Sequence, residues 1–561
     1  MRPPAKRDAH PSSEWVSSVT RLLITGAILC CIIQLAWFGS KCFNQIDFDG
    51  MAYAGIARHI HEGEFHSAIN AFRSPLISWL IAALSIASTD YLHLGKFVSV
   101  ASFLLCLALL HAFALRLWRS PVVAAVAALL FVLGRGLCVE AVALITPDFL
   151  FAALVLVYFT ILRRCVRTDS LKDWSFLGGI HGLAFLAKAF ALPWLGCCTA
   201  VALLLSNKPW RGRVVRLGVA ALAPLVVAGA WAGVLDSKYG VYTAGSQFKT
   251  NFLQWTLRAF PEHREKTYGL LRDTSKELDE YVVDDPMPPG SWAWTYHVSM
   301  GQAVPKLLLA EKNNVPKVVK ELAIVVTPGV LLAFIFSLQI LTRKRHLYAV
   351  EWRLAAVIVS GAIGLVLAYS MLAFDERYLF PLIPLILAVG SRFLVPDPEF
   401  DHAGWRRLSV SLVVLGVCVS LLYRSSPFRV LARDFQVVGY EAGAILKEHE
   451  APQSLVGIGS GPFPEHGVGW EASYQATYFG GGRLIATLDS LPSSTELATL
   501  QSDLRKARPD AVIVWGRPSH GSYKAVVQGL ALQYPRNAIE AIRDPMLGEV
   551  GTVVFTNQRL H

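Results

Sequence analysis

The chain has 561 residues, 54% of them hydrophobic and 17% charged, with a mean hydropathy of +0.44. Soluble domains carry about 25% charged residues, so the composition excludes an ordinary soluble enzyme. The net charge of +11 is not a nucleic-acid signature, because the basic residues fall in short connectors between apolar runs. The nine cysteines lie in or beside those runs without a CxxC pair, which indicates neither a disulfide scaffold nor a zinc module.

In chain order, a basic, polar N-terminus (Met1 to Arg21) precedes the first apolar run, which no small-residue cleavage site follows. The pattern predicts an uncleaved first span. Apolar runs near the length of a membrane helix then recur to Leu422. They predict about eleven spans, near 19–39, 94–115, 121–141, 147–163, 174–189, 190–206, 215–236, 322–342, 353–373, 378–394 and 408–424. The run Pro75 to Ala87 is short for a span. If it lies flat, the basic clusters of the N-terminus, Arg116/Arg119, Arg163–Lys172, Lys208–Arg216, Arg343–Arg353 and Arg392–Arg407 all share one side. That side is expected to be cytoplasmic. The segment 40–93, with interfacial helices, and the loop 237–321 are then external.

The external side collects the charges that topology does not explain. Asp47 and Asp49 follow the first span, and Tyr53 stands four residues after Asp49, on the same face of a helix. A carboxylate at a membrane edge is costly unless wetted, paired or used. Asp148 opens a span after Thr146-Pro147, where it could cap the helix or do chemistry. His181 on an apolar helix reads as a core histidine. Lys188 interrupts the apolar stretch Trp174 to Leu205, and Pro193 favours a break near it. That lysine either snorkels or holds an anion at the external edge. Arg377 and Tyr378 open a later span, as an interfacial anchor pair or as a phosphate fork. The loop 237–321 carries Trp292 and Trp294, whose rings could stack on sugars. Gly457, Gly459 and Gly461 precede prolines rather than a helix, so a dinucleotide site is rejected.

After about residue 424, helix and strand patterns alternate: helix Tyr440–Lys447, strand Ser454–Ile458, strand Leu484–Thr487, helix Glu496–Lys506, and strands Ala511–Trp515 and Thr552–Phe555. They predict a small soluble α/β domain. The expected organisation is a membrane domain over 1–424 and an extracytoplasmic α/β domain over 425–561.

Four ordered motifs carry a family resemblance. Asp49-Gly-Met-Ala-Tyr53-Ala-Gly-Ile-Ala57 is followed by Gly63 and Arg73-Ser-Pro75-Leu76. Thr146-Pro-Asp148, Gly182-Leu-Ala-Phe-Leu-Ala-Lys188 and Arg377-Tyr378-Leu-Phe-Pro381 come later. Together these resemble the GT-C glycosyltransferases, in particular the branch of protein mannosyltransferases and lipid A aminoarabinose transferases. Gly50 stands where many of those proteins have a second acid, and Ala187 and Ala189 flank the lysine in place of Thr and Gly.

The resemblance implies a polyprenyl-phosphate sugar donor, an envelope acceptor (lipid, glycan or protein) and single-displacement inversion at the bacterial plasma membrane. It implies Asp49 as base, with Asp47 its rival, and Asp148 orienting the acceptor or sharing the base role. Lys188, Arg377 and Tyr378 would hold the donor phosphate, with Tyr53, Arg73, Trp292 and Trp294 as substrate contacts. No ligand cluster in the sequence indicates a metal, though the chemistry admits a divalent ion. A transporter or flippase of a lipid-linked glycan is the alternative reading, and a non-catalytic scaffold a third.

Overall fold

The computed structural model describes residues 13–42, 46–134, 136–256, 272–273, 300–346, 348–371, 376–395 and 403–424. In the C-terminal region it describes 435–449, 453–459, 469–480, 483–488, 491–493, 495–516, 521–534, 538–544 and 548–556.

The molecule is an integral membrane protein. Helix α1 (Ser13–Cys42) is mostly apolar and little buried within the protein, as a lipid-facing span should be. The helices α5 (Tyr91–Trp118), α8 (Asp148–Thr168), α11 (Trp210–Tyr239) and α15 (Ala349–Ser370) are likewise long and apolar enough to cross. Shorter apolar helices, α10 (Ala191–Leu204) and α16 (Ile383–Leu394), pack among them. The run from Pro75 forms only the nine-residue α4 (Leu76–Leu84), too short to span.

Two expected spans are broken. The stretch 121–141 divides into α6 (Pro121–Leu133) and α7 (Leu137–Ala143). The stretch 322–342 is not one helix: α13 (Met300–Val326) meets α14 (Pro328–Arg343) at 97°. The reason is local. Pro328 cannot donate a backbone hydrogen bond, and Thr327 before it has φ of +71°. Its hydroxyl starts the new helix by accepting from the Val330 amide at 3.4 Å. The expected break at Lys188 is present, with α9 (Leu171–Ala187) ending there in extended backbone and α10 starting three residues on.

The helices bring unlike charges to their two ends. On α8, Asp148 and Arg163 are fifteen positions apart, about 22 Å at 1.5 Å per residue. At the Arg163 end, that arginine binds Glu351 at 2.8 Å, and Asp169 takes Arg216 at 2.5 and 2.7 Å and Lys208 at 2.6 Å. These are the basic connectors of the topology argument, tied to one another. The Asp148 end carries the short helices α2 (Phe48–His61), α3 (Phe65–Ala68) and α4.

The C-terminal region is α/β. Its sheet has the order β1-β3-β2-β4-β6-β5, with β1 Arg272–Asp273, β2 Ser454–Ile458, β3 Arg483–Leu488, β4 Ala511–Trp515, β5 Ile539–Asp544 and β6 Gly548–Phe555. Strands β3, β2 and β4 run parallel, and the other pairings are antiparallel. Strand β1 comes from the long loop before α13, so that loop is stitched to the C-terminal sheet. Helices α18 (Phe435–Glu448) and α19 (Gly469–Gly480) cover one face, with α20 (Leu497–Ala507) and α21 (Gly521–Gln533) also in this region. The apolar core under α18 and α19 is continuous with the core between α2, α4 and α5. Gln475 on α19 donates to the Ile46 carbonyl at 3.3 Å.

Candidate functional site

Helix α2 starts where its sequence says it should. Asp47 is its N-cap and accepts from the Gly50 amide at 3.2 Å. The same carboxylate accepts from the Ile145 amide at 3.2 Å, which ties α2 to the turn before α8. Asp47 is thus held by two backbone donors. Burial raises its pKa, and the neighbouring charge of Asp49 raises it further, to about 6.

Asp49, two residues on, faces two guanidinium groups. It forms an ion pair with Arg73 and a second with Arg377 at 3.4 Å. Burial alone would raise its pKa, but the two arginines outweigh it and hold the carboxyl down at about 2. Tyr53 lies on the same face: the Arg73 guanidinium sits 5.7 Å from its ring centre, and 4.8 Å from that of Phe72. Burial raises the pKa of the Tyr53 phenol, and the charges of both Asp49 and Asp148 push in the same direction.

Arg73 is only 8% exposed, and its backbone is set by Asn70. The Asn70 side-chain oxygen accepts from the amides of Phe72 at 2.8 Å and Arg73 at 2.5 Å, an Asx turn. Ser74 then accepts from the Ala189 amide at 3.2 Å. The Arg73 loop is therefore fastened to the break beside Lys188.

A third ion pair joins Lys188 to Asp148. Asp148 is not the N-cap of α8. Pro147 occupies that position without a side-chain bond, and the Asp148 carboxylate turns to the lysine. Nor does Lys188 snorkel: its ammonium lies 5.1 Å from the centre of the Tyr378 ring. Tyr378 stacks on Tyr369 at 4.3 Å, and Tyr369 meets Phe190 at a 45° tilt with centroids 4.9 Å apart, making an aromatic wall beside the cation. Arg377 and Tyr378 share one 3-10 turn, Glu376–Leu379, ahead of α16. Consecutive residues thus serve the Asp49 and the Asp148 ion pairs, and together with the Ser74–Ala189 bond they make one centre.

The centre holds three cations, Arg73, Lys188 and Arg377, against two carboxylates, Asp49 and Asp148. Asp47 stands beside them as helix cap. Trp292 and Trp294 lie outside the described residues. His181 is a core histidine: its Nε2 donates to the carbonyls of Ala191 and Leu192 at 3.1 Å each. Asn70, Ser74, Tyr369 and Phe190 were missed in the sequence. Only Asn70, three residues before the arginine, carries a readable signal.

Gly50 also acquires a reason. A Cβ there would stand 2.6 Å from the Asp47 carboxylate and 3.1 Å from Ile145 Cβ, so any side chain at position 50 would have to displace the capping carboxylate. Among the described residues, His59, Glu62 and Glu64 have ligating atoms within 4.8 Å of one another. They lie at the far end of α2, where Gly63 (φ +81°) closes the helix and His59 pairs with Glu64 at 2.6 Å.

No family model matches the chain, and no curated protein matches it by sequence. Solved structures do. ArnT from Cupriavidus metallidurans bound to undecaprenyl phosphate is 14% identical, with a TM-score of 0.52 over 98% of this chain and 99% of that one. The same protein in the apo state is 12% identical, with a TM-score of 0.52 over 97% and 98%. The oligosaccharyltransferase of Archaeoglobus fulgidus in its apo form is 10% identical, with a TM-score of 0.50 over 98% of this chain and 75% of that one. The chain therefore has the GT-C fold of these polytopic membrane transferases.

Proposed function

We propose that the protein is a glycosyltransferase that moves a sugar from a polyprenyl-phosphate donor to a cell-envelope acceptor, with inversion, on the external face of a bacterial plasma membrane. The observation that carries this reading is Asp49, a carboxylate held by Arg73 and Arg377 beside a second, lysine-bound carboxylate at one end of the membrane helices. A lipid-linked phosphate presents its sugar at that depth.

In the reaction, an acceptor hydroxyl or amine attacks the anomeric carbon. The bond from that carbon to the phosphate oxygen breaks, its electron pair stays on the phosphate, and the acceptor proton passes to Asp49. Arg377, Lys188 and Arg73 take up the charge that grows on the leaving phosphate, and Asp148 orients the acceptor. Tyr378 and Tyr53 line the site.

A carboxyl held at about 2 is a weak base at neutral pH. The donor resolves this, because its phosphate competes with Asp49 for the guanidinium groups. As they turn to the phosphate, the carboxylate loses its partners and its proton affinity rises.

Transfer from radiolabelled polyprenyl-phosphate sugar in proteoliposomes tests the reading. Asp49→Asn is expected to lower turnover at least about 100-fold, the lower end for loss of a general base. Translocation of the lipid-linked sugar without transfer would favour the transporter instead.

A further inference from the structure

Helix α2 has two working faces. Asp49 and Tyr53 point to the ion-paired centre, while Ala54, Gly55 and Arg58 lie about half a turn round. That opposite face lines a groove of about 430 Å³ between the start of α5 and the C-terminal helices α18 and α19, within the range of ligand sites. Ala54 and Gly55 line it with no long side chain, and Arg58 from α2 and Lys447 from α18 supply two cations. Among the described residues neither is drawn into an ion pair. Tyr91, Tyr440 and Phe479 supply ring faces, with Tyr440 and Phe479 set edge to face at 5.1 Å. Asp90 adds a carboxylate, fixed by His93 at 2.5 Å.

Rings suit the C–H faces of sugars, a fixed carboxylate suits their hydroxyls, and two cations suit an anionic substituent. We propose that this groove is a second binding site, for an acidic saccharide: a sugar unit bearing a carboxylate or phosphate. If the transferase reading above is right, on which this role rests, the groove holds a distal part of the acceptor. Arg58 is nine residues from Asp49 along α2, roughly 13 Å, so a glycan engaged at both places would be gripped some sugar units from the point of transfer.

The test uses the purified full chain in detergent, with saturation-transfer NMR and intrinsic fluorescence titration. The probes are digalacturonic acid, glucose 6-phosphate, maltose and inorganic phosphate. The acidic saccharides are expected to bind at least about tenfold more tightly than maltose and inorganic phosphate. Arg58→Gln and Lys447→Gln should each weaken them about tenfold, the equivalent of one charge-assisted hydrogen bond. Gly55→Leu, which puts a large side chain on a lining residue, should abolish binding. Both cations are exposed, so these two variants should keep the parent melting temperature. Undecaprenyl phosphate binding, titrated in parallel, should survive all three changes and fail in Arg377→Gln.

Equal binding of inorganic phosphate and the acidic sugars would overturn the proposal, as would full retention in Arg58→Gln and Lys447→Gln. A preference between the carboxylate and the phosphate sugar would name the anion. Acidic-saccharide binding without undecaprenyl phosphate binding would uphold the groove and sink the transferase reading, and the reverse result would do the opposite.

Discussion

Asp47 and Asp49 are two residues apart and do opposite things. Asp47 accepts from two backbone amides and is pushed up to about 6, while Asp49 binds two arginines and is held at about 2. Asn is as good an N-cap as Asp, so Asp47→Asn should keep turnover within about tenfold of the parent, set against the loss expected for Asp49→Asn. The same pair gives a pH signature. A folded-state pKa above the unfolded one of about 4 means that Asp47 stabilises below that value, a contribution lost as pH rises through about 6. Asp49 is the reverse, stabilising above about 4 and losing that only as pH falls through about 2. Thermal midpoints of Asp47→Asn should therefore gain on the parent between pH 4.5 and pH 7.5. A constant gap across that window would contradict the assignment. Gly50→Ala forces the Asp47 carboxylate from its place and should cost about 1–3 kcal/mol, as overpacking does.

Tyr53 at four residues from Asp49 was legible as a helical face, and Lys188 as a helix break beside Pro193. What pairs with what was not. Arg73 reaches Asp49 across 24 residues and Arg377 across 328, distances over which local pattern carries no information. Hydropathy also joined 322–342 across Thr327-Pro328, because an apolar average does not see a turn. At the level of elements, the Gly182 segment shows a second use of a motif. Gly178 and Gly182 on α9 let α11 approach: a Cβ at Gly178 would stand 2.5 Å from the Ala220 carbonyl oxygen, and one at Gly182 3.1 Å from Val227. Small residues four apart are a packing device of membrane helices. Gly178→Leu should separate α9 from α11 and lower both membrane yield and melting temperature, whereas Gly179→Leu, with open space around it, should do neither.

The strands β2 and β4 and much of the sheet were readable as short apolar runs set between helix patterns in the C-terminal region. Helix α19 was hidden in a glycine-rich, weakly patterned stretch, and α21 carried little periodicity. Strand β1, only two residues from a distant loop, had no local signal. The joint between the two parts of the molecule rests on a shared core and on Gln475 with Ile46. Our reading puts that joint outside the cell. A phosphatase reporter fused after His561 should be active and a fluorescent-protein reporter there dark, with the opposite pattern for fusions in the connector between α10 and α11. Matching signals at both places would overturn the orientation.

The ion pairs of the centre have one more consequence. Each of Arg73, Arg377 and Lys188 faces a carboxylate of the same molecule. A phosphate dissolved in the surrounding fluid would have to displace an intramolecular rival, and at ordinary concentrations it gains little by trying. A phosphate anchored in the bilayer arrives by lateral diffusion at a far higher local concentration. On the proposed reading, the centre would thus be insulated from soluble anions, and a preference for lipid-borne ones would be a matter of delivery as much as of fit.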